Sequence, residues 1–120
     1  MSFDSGSDLS QAGSSAAEMS LAVMRQRADD AVALLRSVGS HNRLMILCQL
    51  VEGEHSVNQL VDALAQSQSV VSQHLAVLRR EGIVAGRRDG QSIHYRIADA
   101  RVRVLMETLF RLFCGSDSSV

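Results

Sequence analysis

The 120-residue sequence has no proline, no tryptophan and no lysine, and aromatic residues make up 3% of it. Without proline no helix interior loses an N–H or meets a ring clash, which suits a mainly helical chain. No stretch approaches the ~18 uninterrupted apolar residues that a membrane-crossing helix needs. The Ser-, Asp- and Gly-rich start, Met1 to Ser15, lacks the basic and apolar regions of a secretion signal. A soluble, cytoplasmic protein with no membrane partner is expected. Two cysteines, Cys48 and Cys114, do not make a disulfide-stapled secreted scaffold. CxxC, HExxH, GxGxxG and P-loop patterns are all missing, so the common metal and nucleotide signatures are absent. Neither an enzyme nor a bound cofactor is expected.

What is present is enough apolar material, 46% of the chain, for the core of one domain. The formal net charge of -1 hides an asymmetry. Residues 1–24 carry Asp4, Asp8 and Glu18 and no basic residue. Residues 65–97 carry Arg79, Arg80, Arg87, Arg88 and Arg96 against only Glu81 and Asp89. A basic patch of this kind is the usual electrostatic footprint of a nucleic-acid binder.

Glycines punctuate the sequence: Gly39, Gly53, Gly82 and Gly115 each close an apolar-periodic stretch, as left-handed residues after helix ends would. Residues 1–17 have the composition of a disordered tail, residues 18–115 form the domain, and 116–120 a flexible end. A first helix from about Glu18 to Val38 places Leu21, Met24, Ala28, Ala31, Leu35 and Val38 on a heptad-like seam. A second, about His41 to Val51, follows Ser40. A third follows Ser56, which with Gln59 matches a capping box. A fourth runs from Ser67 to Arg80, with Val70, Val71, His74, Leu75 and Leu78 on one face. Its other face, Gln68, Ser69, Ser72, Gln73 and Ala76, is small, polar and uncharged up to Arg80. After Gly82 the period becomes two. Ile83 to Arg88 and Gln91 to Ile97 flank Asp89-Gly90, a hairpin-turn dipeptide. Asp99 caps a last helix to about Cys114 whose apolar residues cover over half its circumference, more than one subunit can bury.

Two short helices in tight succession, then a hairpin with paired arginines, meet the needs of DNA reading. A helix with short polar side chains can enter the major groove, where Gln68, Ser69, Ser72 and Gln73 reach base edges. Ser67 would cap that helix near a phosphate. A hairpin bearing Arg87, Arg88 and Gln91 can reach the backbone or the adjacent minor groove.

The runs Gln68-Ser69-Val70-Val71-Ser72-Gln73-His74-Leu75-Ala76-Val77-Leu78, Glu81-Gly82-Ile83-Val84, Arg87-Arg88-Asp89-Gly90-Gln91 and Tyr95-Arg96-Ile97 closely resemble the signature of ArsR-type winged-helix repressors. Ser40-His41-Asn42-Arg43-Leu44-Met45-Ile46-Leu47 resembles that family's second-helix motif, with Asn42 where proline is usual. The resemblance covers about residues 20–114. It implies a mainly α fold with a small β-hairpin wing (α+β), ordered α1-α2-α3-α4-β-β-α5. It also implies a homodimer joined through the first and last helices, and binding to double-stranded operator DNA that an inducer releases.

The family's metal-sensing CxC is absent, since this chain reads Glu54-His55-Ser56-Val57-Asn58, and no zinc-type Asp and His set lies on the last helix; no metal is expected. The cysteines, Cys48 in Leu47-Cys48-Gln49 and Cys114 in Phe113-Cys114-Gly115, resemble those of the persulfide-sensing BigR/SqrR-like branch. That likeness implies a dithiol switched by reactive sulfur species to a di- or polysulfide. From position alone, Cys114 at a helix C-terminus faces the wrong end of the dipole for a thiolate, whereas Cys48 has Arg43 and His41 nearby. Cys48 is therefore expected to react first and Cys114 to resolve. His74 on the apolar stripe is expected to be a hydrogen-bonded core residue. Other readings are a metal- or general oxidant-responsive repressor, or a winged-helix protein-interaction module that binds no DNA.

Overall fold

The computed structural model describes residues 9–115. Their elements are α1 (Leu9–Val38), α2 (His41–Val51), β1 (His55–Ser56), α3 (Val57–Leu64), α4 (Gln68–Arg80), β2 (Val84–Asp89), β3 (Ser92–Ile97) and α5 (Ala100–Phe110); a π-helical turn, Arg111–Gly115, follows α5. The chain divides into two compact units, Met1–Leu34 and Leu35–Val120.

The first unit is α1 up to Leu34. Helix starts at Leu9, well ahead of the expected Glu18, so much of the anticipated tail is helical. Lengthening a formed helix costs little, and this Ala- and Ser-containing stretch has no proline to stop it. Residues 1–8 and 116–120, where the rest of the tail and the flexible end were expected, lie outside the described residues. On the seam of α1, Leu21 and Met24 are each 56% exposed, while Ala28 and Ala31 are half-buried.

In the second unit the helices start where side chains can satisfy their free N–H groups. Ser40 Oγ accepts from the Arg43 N–H at the head of α2. At α3 the expected capping box is complete: Gln59 N–H donates to Ser56 Oγ (3.1 Å) and Ser56 N–H to Gln59 Oε1 (2.8 Å). Asp99 caps α5, accepting from the Arg101 N–H at 2.8 Å. The Arg101 guanidinium also grips that carboxyl, and these hydrogen bonds hold it below the usual aspartate range. α4 ends in a Schellman arrangement, with Gly82 at φ +77 and the Ile83 N–H donating to Leu78 O at 2.9 Å. The other expected left-handed stops differ. Gly39 and Gly115 do not have positive φ, and α3 is closed by Ala65 at φ 54.

The core gathers one face from each element. Leu47 and Leu50 of α2, Leu60 of α3, Leu78 of α4 and Val102 of α5 are fully buried. Val71, Leu75 and Met106 are nearly so, and the sheet adds Val84, Tyr95 and Ile97. The sheet has the order β1-β3-β2, antiparallel throughout. β1 was not foreseen, because two residues are too few to show an alternation. Its pairing of His55 with Tyr95 and Ser56 with His94 ties the start of α3 to the hairpin. The hairpin register pairs Asp89 with Ser92, so the turn is Gly90-Gln91 rather than Asp89-Gly90. Gly90 supplies the positive φ, +66, that its first position needs.

Because Leu47 is wholly enclosed between elements, Leu47→Ala should lower the free energy of unfolding by ~2–5 kcal/mol. Urea denaturation followed by circular dichroism checks this; a loss below ~1 kcal/mol would mean the site collapses around the smaller side chain.

Candidate DNA interface and thiol pair

The connection Ala65–Ser67 turns the chain from α3 into α4, and Ser67 Oγ accepts from the Val70 N–H at 3.2 Å. With Val71, Leu75 and Leu78 turned into the core, the opposite side of α4 faces solvent. Gln68, Ser69, Ser72 and Gln73 are all exposed, as is Ser67. The face carries no charge until Arg79 and Arg80 in the last turn. Such a surface can approach base edges closely, with donors and acceptors on short stems. His74 is half-buried, its Nε2 3.5 Å from Asn42 Nδ2, and lines a cavity of about 160 Å³ with Met45, Leu64 and Val70.

Arg87 and Arg88, grouped together in the sequence, project from opposite faces of the hairpin, as successive strand residues must. Arg88 pairs in register with Ile93, on the side of Val84, Tyr95 and Ile97. Arg87 pairs with His94 on the other side. Its Nε donates to Glu54 Oε1 at 2.7 Å, and its Nη1 lies 4.0 Å from Asp89 Oδ2. Among the described residues Arg88 forms no ion pair. Gln91 is exposed at the turn. Glu54 escaped the sequence-based reading, because its partner is 33 residues away and nothing local signals the pairing.

Cys48 on α2 is half-buried and Cys114 on the π-helical turn is exposed; both are free thiols. Burial pushes the Cys48 thiol above its ordinary range, and negative charge on the nearby Cys114 raises it further. Cys114 thus lies near enough to Cys48 for its charge to be felt there. Arg43, on the same helix as Cys48, is engaged elsewhere. The Arg43 Nε donates to Ser37 O at 2.6 Å and its Nη2 to Arg36 O, capping the end of α1 instead. Cys114 borders a wide depression of about 400 Å³ shared with Glu107, Phe110 and Arg111. Phe113 beside it is 75% exposed, Leu112 67% and Val104 62%. Among the described residues no group of three or more His, Cys, Asp or Glu could hold a metal ion. Among them also, no helix is long and apolar enough to cross a membrane.

Residues 40–85 match the family described as bacterial regulatory protein, arsR family. The chain is 42% identical over 101 residues to the transcriptional activator HlyU of Vibrio cholerae, covering 84% of this chain and 94% of that one. It is 39% identical over 94 residues to the biofilm growth-associated repressor of Xylella fastidiosa, covering 78% of this chain and 82% of the repressor. Among solved structures, reduced HlyU from Vibrio cholerae superposes with a TM-score of 0.73 at 42% identity, over 76% of this chain and 96% of that one. The transcriptional repressor BigR from Xylella fastidiosa gives 0.72 at 41% identity, over 76% and 93% of the respective chains.

The thiols should differ in reactivity. A raised pKa leaves less thiolate at a given pH, so iodoacetamide at neutral pH should label exposed Cys114 first. Labelling of Cys48 should rise only as pH passes above the ordinary thiol range. By linkage, the folded state's protonated Cys48 contributes stability fully below that range, and this contribution is lost as pH rises through Cys48's higher value. Peptide mass spectrometry across a pH series reads both rates; equal rates in the folded protein would contradict the burial argument.

Proposed function

Because this chain belongs to the ArsR family of bacterial regulatory proteins, we propose that it is a homodimeric transcriptional repressor that binds operator DNA in the cytoplasm and releases it when a Cys48–Cys114 dithiol is converted by reactive sulfur species. The observation that carries the DNA-binding part is the exposed, uncharged polar face of α4 beside an arginine-bearing hairpin. Residues 18–115 serve as the DNA-binding and dimerisation domain. Gln68, Ser69, Ser72 and Gln73 read base edges, and Ser67 lies near a phosphate at the helix start. Arg87, Arg88 and Gln91 serve the wing, with Arg88 unpaired by any described carboxylate and Arg87 held by Glu54. The exposed apolar residues of α1, and separately those of the segment after α5, are what a second copy would cover. One relative is named an activator and another a repressor, so the fold permits either outcome. Loss of binding on induction fits repression.

Exposure supports Cys114 as the first thiol to react, the reverse of the order that helix position suggests. Its thiolate takes the outer sulfur of a low-molecular-weight persulfide, releasing the parent thiol and leaving a Cys114 persulfide. Attack by Cys48 on the inner sulfur expels hydrosulfide and leaves a disulfide. If both cysteines are persulfidated, their condensation expels hydrogen sulfide and leaves a trisulfide. Either bridge ties α2 to the segment after α5 and shifts the dimer away from a spacing suited to adjacent grooves. A coupling of ~1–3 kcal/mol suffices to change DNA affinity ~5- to 150-fold.

Two sets of variants test this, using a duplex selected by the protein from a random library. Gln73→Ala and Ser69→Ala should each cost ~1–3 kcal/mol on the selected duplex and little on random DNA. Arg88→Ala should weaken both and flatten the logarithmic salt dependence by ~0.9. If the two classes behave alike in a band-shift assay, the division into base and backbone roles is wrong.

Cys48→Ser and Cys114→Ser should each bind the selected duplex when reduced yet stay bound after glutathione persulfide. Treated wild type should release it and carry one intramolecular Cys48–Cys114 cross-link by peptide mapping. Release that persists in both single variants would exclude the pair as the sensor.

A further inference from the structure

We infer that Glu54 limits the affinity of this protein for DNA, by occupying Arg87 of the wing in the free chain and competing there with a DNA phosphate. The inference rests on the wing contacting DNA, as proposed above. Arg87 Nε lies 2.7 Å from Glu54 Oε1, a short charge-assisted contact. The Asp89 carboxylate stands 4.0 Å from Arg87 on its other flank. The same Asp89 oxygen lies 3.8 Å from His94 Nε2, so Glu54 is the main partner, and a guanidinium so paired presents less net charge toward a phosphate than a free one. Arg88, one residue on and on the opposite face, has no such partner among the described residues.

Glu54 is also held in place. It directly precedes β1, where His55 pairs with Tyr95 and Ser56 with His94. The next residues open α3 through the Ser56–Gln59 capping box. The backbone beside Glu54 is thus fixed to the same sheet from which Arg87 projects, and Glu54, Ser56, His94 and Arg87 share one face of it. If Arg87 swings toward DNA, the backbone at Glu54 stays with the sheet, and the ion pair is lengthened or given up. The pair is solvent-accessible, with side-chain exposures of 52% for Arg87 and 31% for Glu54. Exposed pairs are weak, so the competition costs a few-fold in affinity rather than orders of magnitude.

The test is fluorescence anisotropy with the full chain and a random-sequence duplex of about three helical turns. Salt is set at 0.15 M, where the Debye length of ~8 Å suppresses long-range charge effects. Glu54→Gln should tighten binding about two- to fivefold. In an Arg87→Ala background the gain should disappear, because nothing remains to be released. Glu52→Gln, which removes the same charge two residues earlier, should leave affinity unchanged. Weaker or unaltered binding by Glu54→Gln overturns the inference, as does an equal gain from Glu52→Gln or in the Arg87→Ala background. Arg87→Ala that binds as wild type does would likewise overturn it. A wild-type chain that binds no duplex would overturn the DNA-binding reading itself. That result is distinct from a wild type that binds and ignores Glu54→Gln.

Discussion

The second unit is organised around the demand that α4 be buried along one side and bare along the other. Val71, Leu75 and Leu78 anchor the helix among α2, α3 and the hairpin, and burying three such side chains contributes several kcal/mol. That anchoring leaves Gln68, Ser69, Ser72 and Gln73 exposed to solvent. The caps follow from the same demand. A helix presented to a ligand by its first turns cannot fray there, and Ser67 closes one of its free N–H groups. At the far end the Gly82 turn sends the chain directly into β2, which places the wing beside the helix it serves.

Much of this was legible in the residues because the signals are local. Ser56, Ser67 and Asp99 were readable as caps, since a capping side chain bonds an N–H only two or three positions on. The alternation of Ile93, Tyr95 and Ile97 marked a strand with one buried face, and Tyr95 and Ile97 are buried. What escaped depends on contacts distant in sequence or on very short elements. β1 has two residues and exists only because β3 lies beside it. The hairpin turn shifted by one residue, because Asp89 is held in the ladder by Ser92 and only Gly90 has the freedom the turn requires. The π-helical turn around Cys114 had no sequence signature at all.

The cysteines show why position along a helix is a poor guide to reactivity. The helix dipole is a first- and last-turn effect, whereas desolvation acts on any thiol enclosed by its surroundings. Cys48 sits on α2 between Leu47 and Leu50, both fully buried, and the cost of placing a negative charge there outweighs its apparent advantage over Cys114. Arg43, which could have offset that cost, is fixed to the carbonyls of Arg36 and Ser37. A thiol pair with one exposed and one sheltered member separates two tasks. The exposed sulfur meets a reagent from solution more readily than the sheltered one does.

The charge arithmetic gives each wing residue unusual weight. Non-specific attachment to DNA scales with the number of phosphates a protein neutralises, and this chain has no lysine and a net charge of -1. The basic surplus of residues 65–97 is itself small, and part of it is already matched within the fold. Arg87 is paired with Glu54, which lies outside that stretch. On the DNA-binding reading proposed above, sequence-independent affinity should be low, and the uncharged face of α4 should supply a larger share of the binding energy. That balance raises the contrast between a matching duplex and random DNA. On the same reading occupancy is easy to reverse, since a regulator with few phosphate contacts needs only a modest loss of fit to let go.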